Sequence, residues 1–150
     1  APWLLLARTT TPCWLSSRSG VSKKNTWRSW ASSASTSRAA AVDLGRARRW
    51  YEEKLGLVPE HEDPGGVWYR FGGETWLYLY GTPSAGTARN TIAGWEVKDI
   101  ESVMAGLRGR GVAFEQYDLG DVRMVDGLAD FGMAKAAWFK DSEGNTYELT

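Results

Sequence analysis

Hydrophobic and polar positions change character near residue 42. Beyond it the apolar residues recur with regular periods, and elements can be assigned from them. Asp43 precedes Leu44, Ala47, Tyr51 and Leu55, which fall at helical spacing with Trp50 beside them. Arg46, Arg48, Glu52 and Glu53 take the opposite face. Asp43 suits a helix N-cap, because its carboxylate accepts from an orphan backbone N–H, and Gly56 suits the helix end. Residues 57–62, 67–71 and 75–80 read as strands, separated by Asp63-Pro64-Gly65-Gly66 and Gly72-Gly73. Residues 81–90, rich in Gly, Pro, Ser and Thr, read as a linker.

The order then repeats. Residues 91–97 form a strand pattern, and Asp99 is a second N-cap before the stripe Ile100, Val103, Met104 and Leu107. Gly111 ends that helix; Gly106 and Gly109 inside it cost about 1 kcal/mol each against Ala, so packing must hold it. Residues 112–117 predict a strand, 119–132 a long acidic loop containing Arg123 and Met124, and 134–139 and 146–150 the last two strands. The predicted fold is α+β: two βαβββ repeats, about 41–82 and 91–150, forming half-barrel sheets around a cleft with the helices outside. Such a cleft between repeats is a favoured ligand site. The first strand of repeat 1 is expected to be weak or missing, since only residues 38–42 are available and their side chains are small.

Residues 1–40 follow no period. They hold 14 Ser or Thr, four Trp and six Lys or Arg, with no acid. They are expected to be an atypical Ser/Arg-rich extension, disordered or non-native, with an organelle transit peptide as the less favoured reading. The domain proper is expected over 41–150. The formal net charge of zero hides a split, because residues 41–150 carry 12 basic and 18 acidic side chains. That acidic balance argues against nucleic acid, which needs a basic footprint. No run reaches the roughly 18 apolar residues of a membrane span. Cys13 is the single cysteine, so neither a disulfide framework nor a thiolate metal site is available, and a reducing cytoplasm fits.

The final ten residues, Asp141-Ser142-Glu143-Gly144-Asn145-Thr146-Tyr147-Glu148-Leu149-Thr150, carry the strongest local signal. Gly144 and Asn145 tolerate positive φ, so Asp-x-x-Gly-Asn predicts a tight reversal. The following strand holds one carboxylate, Glu148, which must face water, a partner or a ligand.

Residues 42–150 resemble the vicinal oxygen chelate superfamily, which includes glyoxalases, bleomycin-resistance proteins and extradiol dioxygenases. The resemblance rests on Val42-Asp43-Leu44-Gly45-Arg46-Ala47-Arg48-Arg49-Trp50-Tyr51-Glu52-Glu53-Lys54-Leu55-Gly56-Leu57, on Glu96-Val97-Lys98-Asp99-Ile100, and on Phe139-Lys140 with the terminal motif. It implies the fold and leaves the reaction open, since one fold hosts many chemistries. In metal-using members the ligands come from the first and last strands of each repeat. Those positions fall here on Thr36, Leu77, Ile92 and Glu148, of which Glu148 alone is a good ligand. A divalent transition metal takes about three protein ligands, so no metal cofactor is expected. The resemblance also implies a homodimer, because relatives often build clefts across subunits.

The candidate ligand-binding residues are therefore Glu148, Leu77, Ile92, Trp76, Tyr78, Trp138, Arg70 and Arg123. Trp76, Tyr78 and Tyr80 share one parity of an alternating strand, and a one-residue slip decides whether they or Leu77 face the cleft. Trp95, with the parity of Val97, is expected beneath the second helix. His61, the only histidine, flanks a turn and is expected to be exposed. Arg70 and Arg123 suit a ligand carboxylate or phosphate, although surface salt bridging is the default. The leading expectation is a protein that binds a small organic molecule in an aromatic and apolar cleft without a catalytic metal. Two alternatives stand beside it. One is a metal-dependent lyase, isomerase or dioxygenase with Glu148 as a ligand. The other is a non-catalytic, dimerising interaction module that binds a protein through a sheet edge or its outer helices.

Overall fold

The computed structural model describes residues 36–150. The first repeat contains β1 (Thr36–Ala41), α1 (Leu44–Trp50, continued by a π-helical turn Tyr51–Leu55), β2 (Pro59–Asp63), β3 (Gly66–Gly72) and β4 (Thr75–Gly81). The second contains β5 (Thr91–Trp95), α2 (Ile100–Gly109), β6 (Arg123–Val125), β7 (Leu128–Asp130), β8 (Lys135–Lys140) and β9 (Thr146–Leu149). The strands form a four-stranded sheet, β1-β4-β3-β2, and a five-stranded sheet, β5-β9-β8-β7-β6. In each, the first strand lies at the edge and runs parallel to the last strand of its repeat, while the remaining neighbouring pairs are antiparallel. This is the α+β architecture of two βαβββ repeats.

Both helices begin as their sequences dictate. Asp43 Oδ1 accepts from Arg46 N at 2.9 Å and Asp99 Oδ1 from Ser102 N at 3.0 Å, each satisfying an orphan donor of the first turn. Gly56 adopts φ 69°, and its N–H closes on Glu52 O at 3.1 Å. One buried cluster joins the helix-bearing faces of both sheets: Leu77 and Leu79, Phe139 and Tyr147, and the helical Tyr51 and Met104 all contribute to it. Trp95 belongs at its margin as expected, stacking on Phe71 at 4.1 Å and donating Nε1 to Phe71 O at 2.8 Å.

Three expectations are corrected. The first strand of repeat 1 is present, paired with β4 from Thr36 to Ala41, so residues 36–40 belong to the folded unit. Ala39 and Ala41 are completely buried, and cross-strand pairing overrides the poor propensity of alanine. The expectation of a disordered or non-native extension otherwise lies outside the described residues. Residues 112–117 do not form a strand. To β8 they make a single bridge, Phe114 to Phe139, and one backbone bond, Glu115 N to Trp138 O. The supposed loop 119–132 instead supplies the β6–β7 hairpin, which pairs along the other half of β8. Its turn is Asp126-Gly127, at φ 49° and 76°, the two positive values that a tight two-residue turn demands.

Candidate functional site

The terminal motif is a structural tie. Of its residues only Gly144 has positive φ, at 86°; Asn145 does not. Asp141 accepts Glu143 N and Asn145 N on Oδ1, both at 2.9 Å, which closes the reversal between β8 and β9. Its Oδ2 accepts Asn145 Nδ2 at 2.7 Å and the Tyr51 hydroxyl at 2.5 Å. The Tyr147 hydroxyl lies 2.6 Å from that of Tyr51, so α1, β9 and the turn converge on one buried carboxylate. Burial is the main cause that pushes both phenols up, Tyr51 well above its ordinary range. Asn145 Nδ2 also donates to Ala40 O at 2.7 Å. Glu143, its side chain wholly enclosed, accepts Val42 N at 2.9 Å, Asp43 N at 3.2 Å and the Arg46 guanidinium at 2.8 and 3.0 Å. The motif thus clamps the start of repeat 1 to the end of repeat 2. The clamp explains the sequence signal without any ligand.

The faces turned away from the core hold the candidate chemistry. On the first sheet this face carries Arg38 on β1, Tyr78 and Tyr80 on β4, and Trp68 and Arg70 on β3; Trp76 shares the parity of Tyr78 but is itself buried, at 3% exposure, so it offers no open ring to a ligand. The register pairs Arg38 and Trp68 with Tyr78, and Arg70 with Trp76. Trp68 stacks on Tyr78 at 4.3 Å, and Tyr78 lies nearly parallel to Tyr80 at 6.0 Å and 13°. The Arg70 guanidinium sits 3.9 Å from the Trp76 ring and bonds Glu60, so the salt bridge expected of it is present. On the second sheet the open face carries Glu148, with Trp138 of β8 and Gly94 of β5 as its cross-strand partners. Tyr117 packs edge-on against Trp138 at 5.7 Å. A side chain at Gly94 would come within 3.3 Å of Glu148 Cβ, so the glycine leaves room beside the carboxylate. Among the described residues the Glu148 carboxylate has no hydrogen-bond or ion-pair partner.

Trp76, Tyr78 and Arg70 therefore come together on one sheet, and Glu148 and Trp138 on the other. Leu77 does not join them, being fully buried in the core. Counting from the turn glycines equates Leu77 with Glu148, but β3–β4 reverses through two residues and β8–β9 through five, which inverts the parity. Ile92 sits at a register shift between Thr91 and Ala93 and packs against the core; the open position opposite Glu148 is Gly94. Arg123 is exposed on the outermost strand, β6, away from the Glu148–Trp138 pair. His61 is exposed on β2, as expected. Sequence reasoning missed Arg38, which lay in the segment set aside as atypical, and Trp68, whose alternation with Arg70 was legible. Among the described residues, hollows also lie away from both faces. One of about 480 Å³ is lined by Arg108, Phe114, Gln116, Asp126 and Gly127. A second, of about 340 Å³, has Lys98, Glu101, Asp130 and Lys135 in its lining. A third is an apolar gap of about 80 Å³ whose lining includes Leu57, Trp95 and Leu107.

Several solved structures share this arrangement. TnmS3, an antibiotic binding protein from Streptomyces sp. CB03234, is 24% identical, with a TM-score of 0.57 over 79% of this chain and 94% of its own. A glyoxalase/bleomycin resistance protein from the same organism is also 24% identical, with a TM-score of 0.56 over 79% and 99%. The lactoylglutathione lyase of Agrobacterium tumefaciens is 18% identical, with a TM-score of 0.55 over 79% and 92%. The fold is the one these glyoxalase and bleomycin resistance structures share. No family model and no curated protein matches the sequence. At these identities the likeness speaks for the fold, and the chemistry must be argued from the residues.

A metal centre of the vicinal oxygen chelate type does not fit them. Thr36, Leu77 and Ile92 offer no strong ligand to join Glu148, and the faces nearest it present Trp138, Gly94 and Thr146. Glu115, the next carboxylate, is engaged by Lys140 at 3.1 Å. Among the described residues no group of three or more His, Cys, Asp and Glu is placed to hold a metal ion. No helix of the described residues is long and apolar enough to cross a membrane.

Proposed function

We propose that the protein binds a small organic molecule on the aromatic open faces of its sheets without a catalytic metal. The observation that carries this reading is the row of half-buried Trp68, Tyr78 and Tyr80 on a face that the core cluster does not use. Flat rings on a rigid sheet give contact area at little entropic cost. The likeness to an antibiotic binding protein supports the same reading. The proposal includes a homodimer, with clefts between the first sheet of one copy and the second sheet of the other, so that Glu148 and Trp138 of one copy face the aromatic row of its partner. It also includes a cytoplasmic setting, which the single cysteine supports. Thermal-shift screening of small aromatic molecules tests binding, and light scattering after size exclusion tests the dimer. The reading fails if no small molecule stabilises the protein while a metal alone confers turnover.

One observation favours the second reading, a metal-dependent lyase, isomerase or dioxygenase. Glu148 is an unpartnered carboxylate on the open face, and a structural neighbour is a lactoylglutathione lyase. Mass spectrometry after incubation with Mn, Fe, Co, Ni and Zn distinguishes the two. Near-stoichiometric metal, lost in Glu148→Gln, supports the enzyme; no bound metal supports the binding protein.

A further inference from the structure

The open face of the first sheet carries a cation without a counterion. Arg38 is exposed on β1, its guanidinium carbon 5.7 Å from the centre of the Tyr78 ring. Among the described residues it has no hydrogen-bond or ion-pair partner, whereas Arg46, Arg48 and Arg70 are each matched to a carboxylate. Strand order fixes what surrounds Tyr78. Trp68 stacks on it from the β3 side, and among the described residues Arg38 is the side chain that approaches it from the β1 side.

The rings themselves are held in place by one carboxylate. Asp63 accepts Trp68 Nε1 at 2.9 Å and the Tyr78 hydroxyl at 3.1 Å. It is anchored in turn by Gly65 N at 2.7 Å and Gly66 N at 3.0 Å. The platform is therefore set before a ligand arrives, and binding costs little ordering of the rings. The Trp68 bond is the largest cause that lowers the Asp63 carboxyl below its ordinary value, so Asp63 is a charged anchor at neutral pH.

The geometry points to a ligand class, a planar aromatic acid. Its ring takes the Tyr78 face from the β1 side. Its carboxylate takes the Arg38 guanidinium, which swings off the ring to meet it; the planar fork of arginine matches a carboxylate in two parallel hydrogen bonds. Asp63 is a positioning residue for this site, acting through Trp68 and Tyr78. The inference rests on the small-molecule reading above and adds to it the sign of the ligand's charge and the residue that reads it.

Isothermal titration calorimetry on the full chain tests it with three probes: 2-naphthoate, the neutral 2-naphthamide, and cyclohexanecarboxylate. The acid is expected to bind about tenfold tighter than the amide, the increment of one charge-assisted contact. Cyclohexanecarboxylate, which cannot stack, binds more weakly than either. Arg38→Met removes the preference for the acid over the amide. Asp63→Asn weakens acid and amide alike. Equal affinities for acid and amide in the unmodified protein overturn the anion selectivity and leave the small-molecule reading standing. So does a preference that survives Arg38→Met. Absence of binding by both aromatic probes counts against the two together.

Discussion

Replacing Glu143 with Gln isolates the charge in the clamp between the repeats. The carboxylate is wholly enclosed, takes two backbone N–H groups and pairs with Arg46, whose side chain is 52% exposed. The Arg46 guanidinium is the largest of several donors that hold its carboxyl down, from 4.5 to about 2. At about 1.4 kcal/mol per pKa unit this is on the order of 3 kcal/mol, and the half-exposed arginine argues for discounting it to about 2 kcal/mol. The sign follows from linkage. The folded state holds the proton less tightly than the unfolded chain, so the contribution is complete above about pH 4.5 and is lost as pH falls toward 2. Urea unfolding followed by tryptophan fluorescence, at several pH values from 7 down to 2, measures it. Glu143→Gln is expected to be less stable by about 2 kcal/mol at neutral pH, with the gap closing as the native carboxyl is protonated. Other acids titrate in both proteins and cancel in the difference. A gap that stays constant across the range refutes the reasoning, because it would trace the effect to altered hydrogen-bond geometry in the glutamine side chain rather than to charge.

Other perturbations probe the core and the turn. Tyr69 is fully buried, and its hydroxyl is without a hydrogen-bond partner; burial pushes it up to about 12. Tyr69→Phe is expected to stabilise the protein by about 1 kcal/mol in urea unfolding, since it removes an unpaired buried polar group, and a loss of stability counts against that view. Tyr51 donates to Asp141 and takes the Tyr147 hydroxyl as its second partner. Tyr51→Phe should therefore cost about 2 kcal/mol and more than Tyr147→Phe, because it leaves a buried hydroxyl unpaired and withdraws a donor from a carboxylate. The reverse order in thermal melts would mean that the phenol pair is not the keystone. Gly86 has φ 70°, and a Cβ there would lie 2.2 Å from Glu143 O. Gly86→Ala should destabilise by at least about 1–2 kcal/mol through backbone displacement at the β8–β9 turn. A variant as stable as the parent in melts would show that the 82–90 segment does not press on that turn.

Much of the fold was legible because its signals are local. Asp43 and Asp99 before apolar stripes, and Gly56 after one, each specify a helix end from their own side-chain or backbone chemistry. The hairpins of the first repeat were marked by their glycines. The failures have physical causes of their own. β1 is made of small residues, and its stability comes from parallel pairing with β4, a partner some 40 residues away that no local pattern reveals. The β6–β7 hairpin carried a readable signal, Asp126-Gly127 between apolar residues, which the acidic composition of its surroundings obscured.

The site was legible only as far as parity allowed. Strand alternation correctly set Trp76, Tyr78 and Tyr80 on one face and Leu77 on the other, but which face was open depended on turn lengths. The β3–β4 and β8–β9 turns differ by three residues, an odd number, and an odd difference exchanges faces. The same inversion bears on function. Position for position from the turns, Glu148 corresponds to a core leucine, whereas the face-equivalent positions on the first sheet are aromatic. One sheet therefore offers a lone carboxylate and the other stacked rings and an unmatched arginine. A pair of faces so unlike each other is poorly suited to enclosing a metal between matched ligands. That contrast supports the proposed reading, in which the ligand is a flat molecule whose two ends differ in charge.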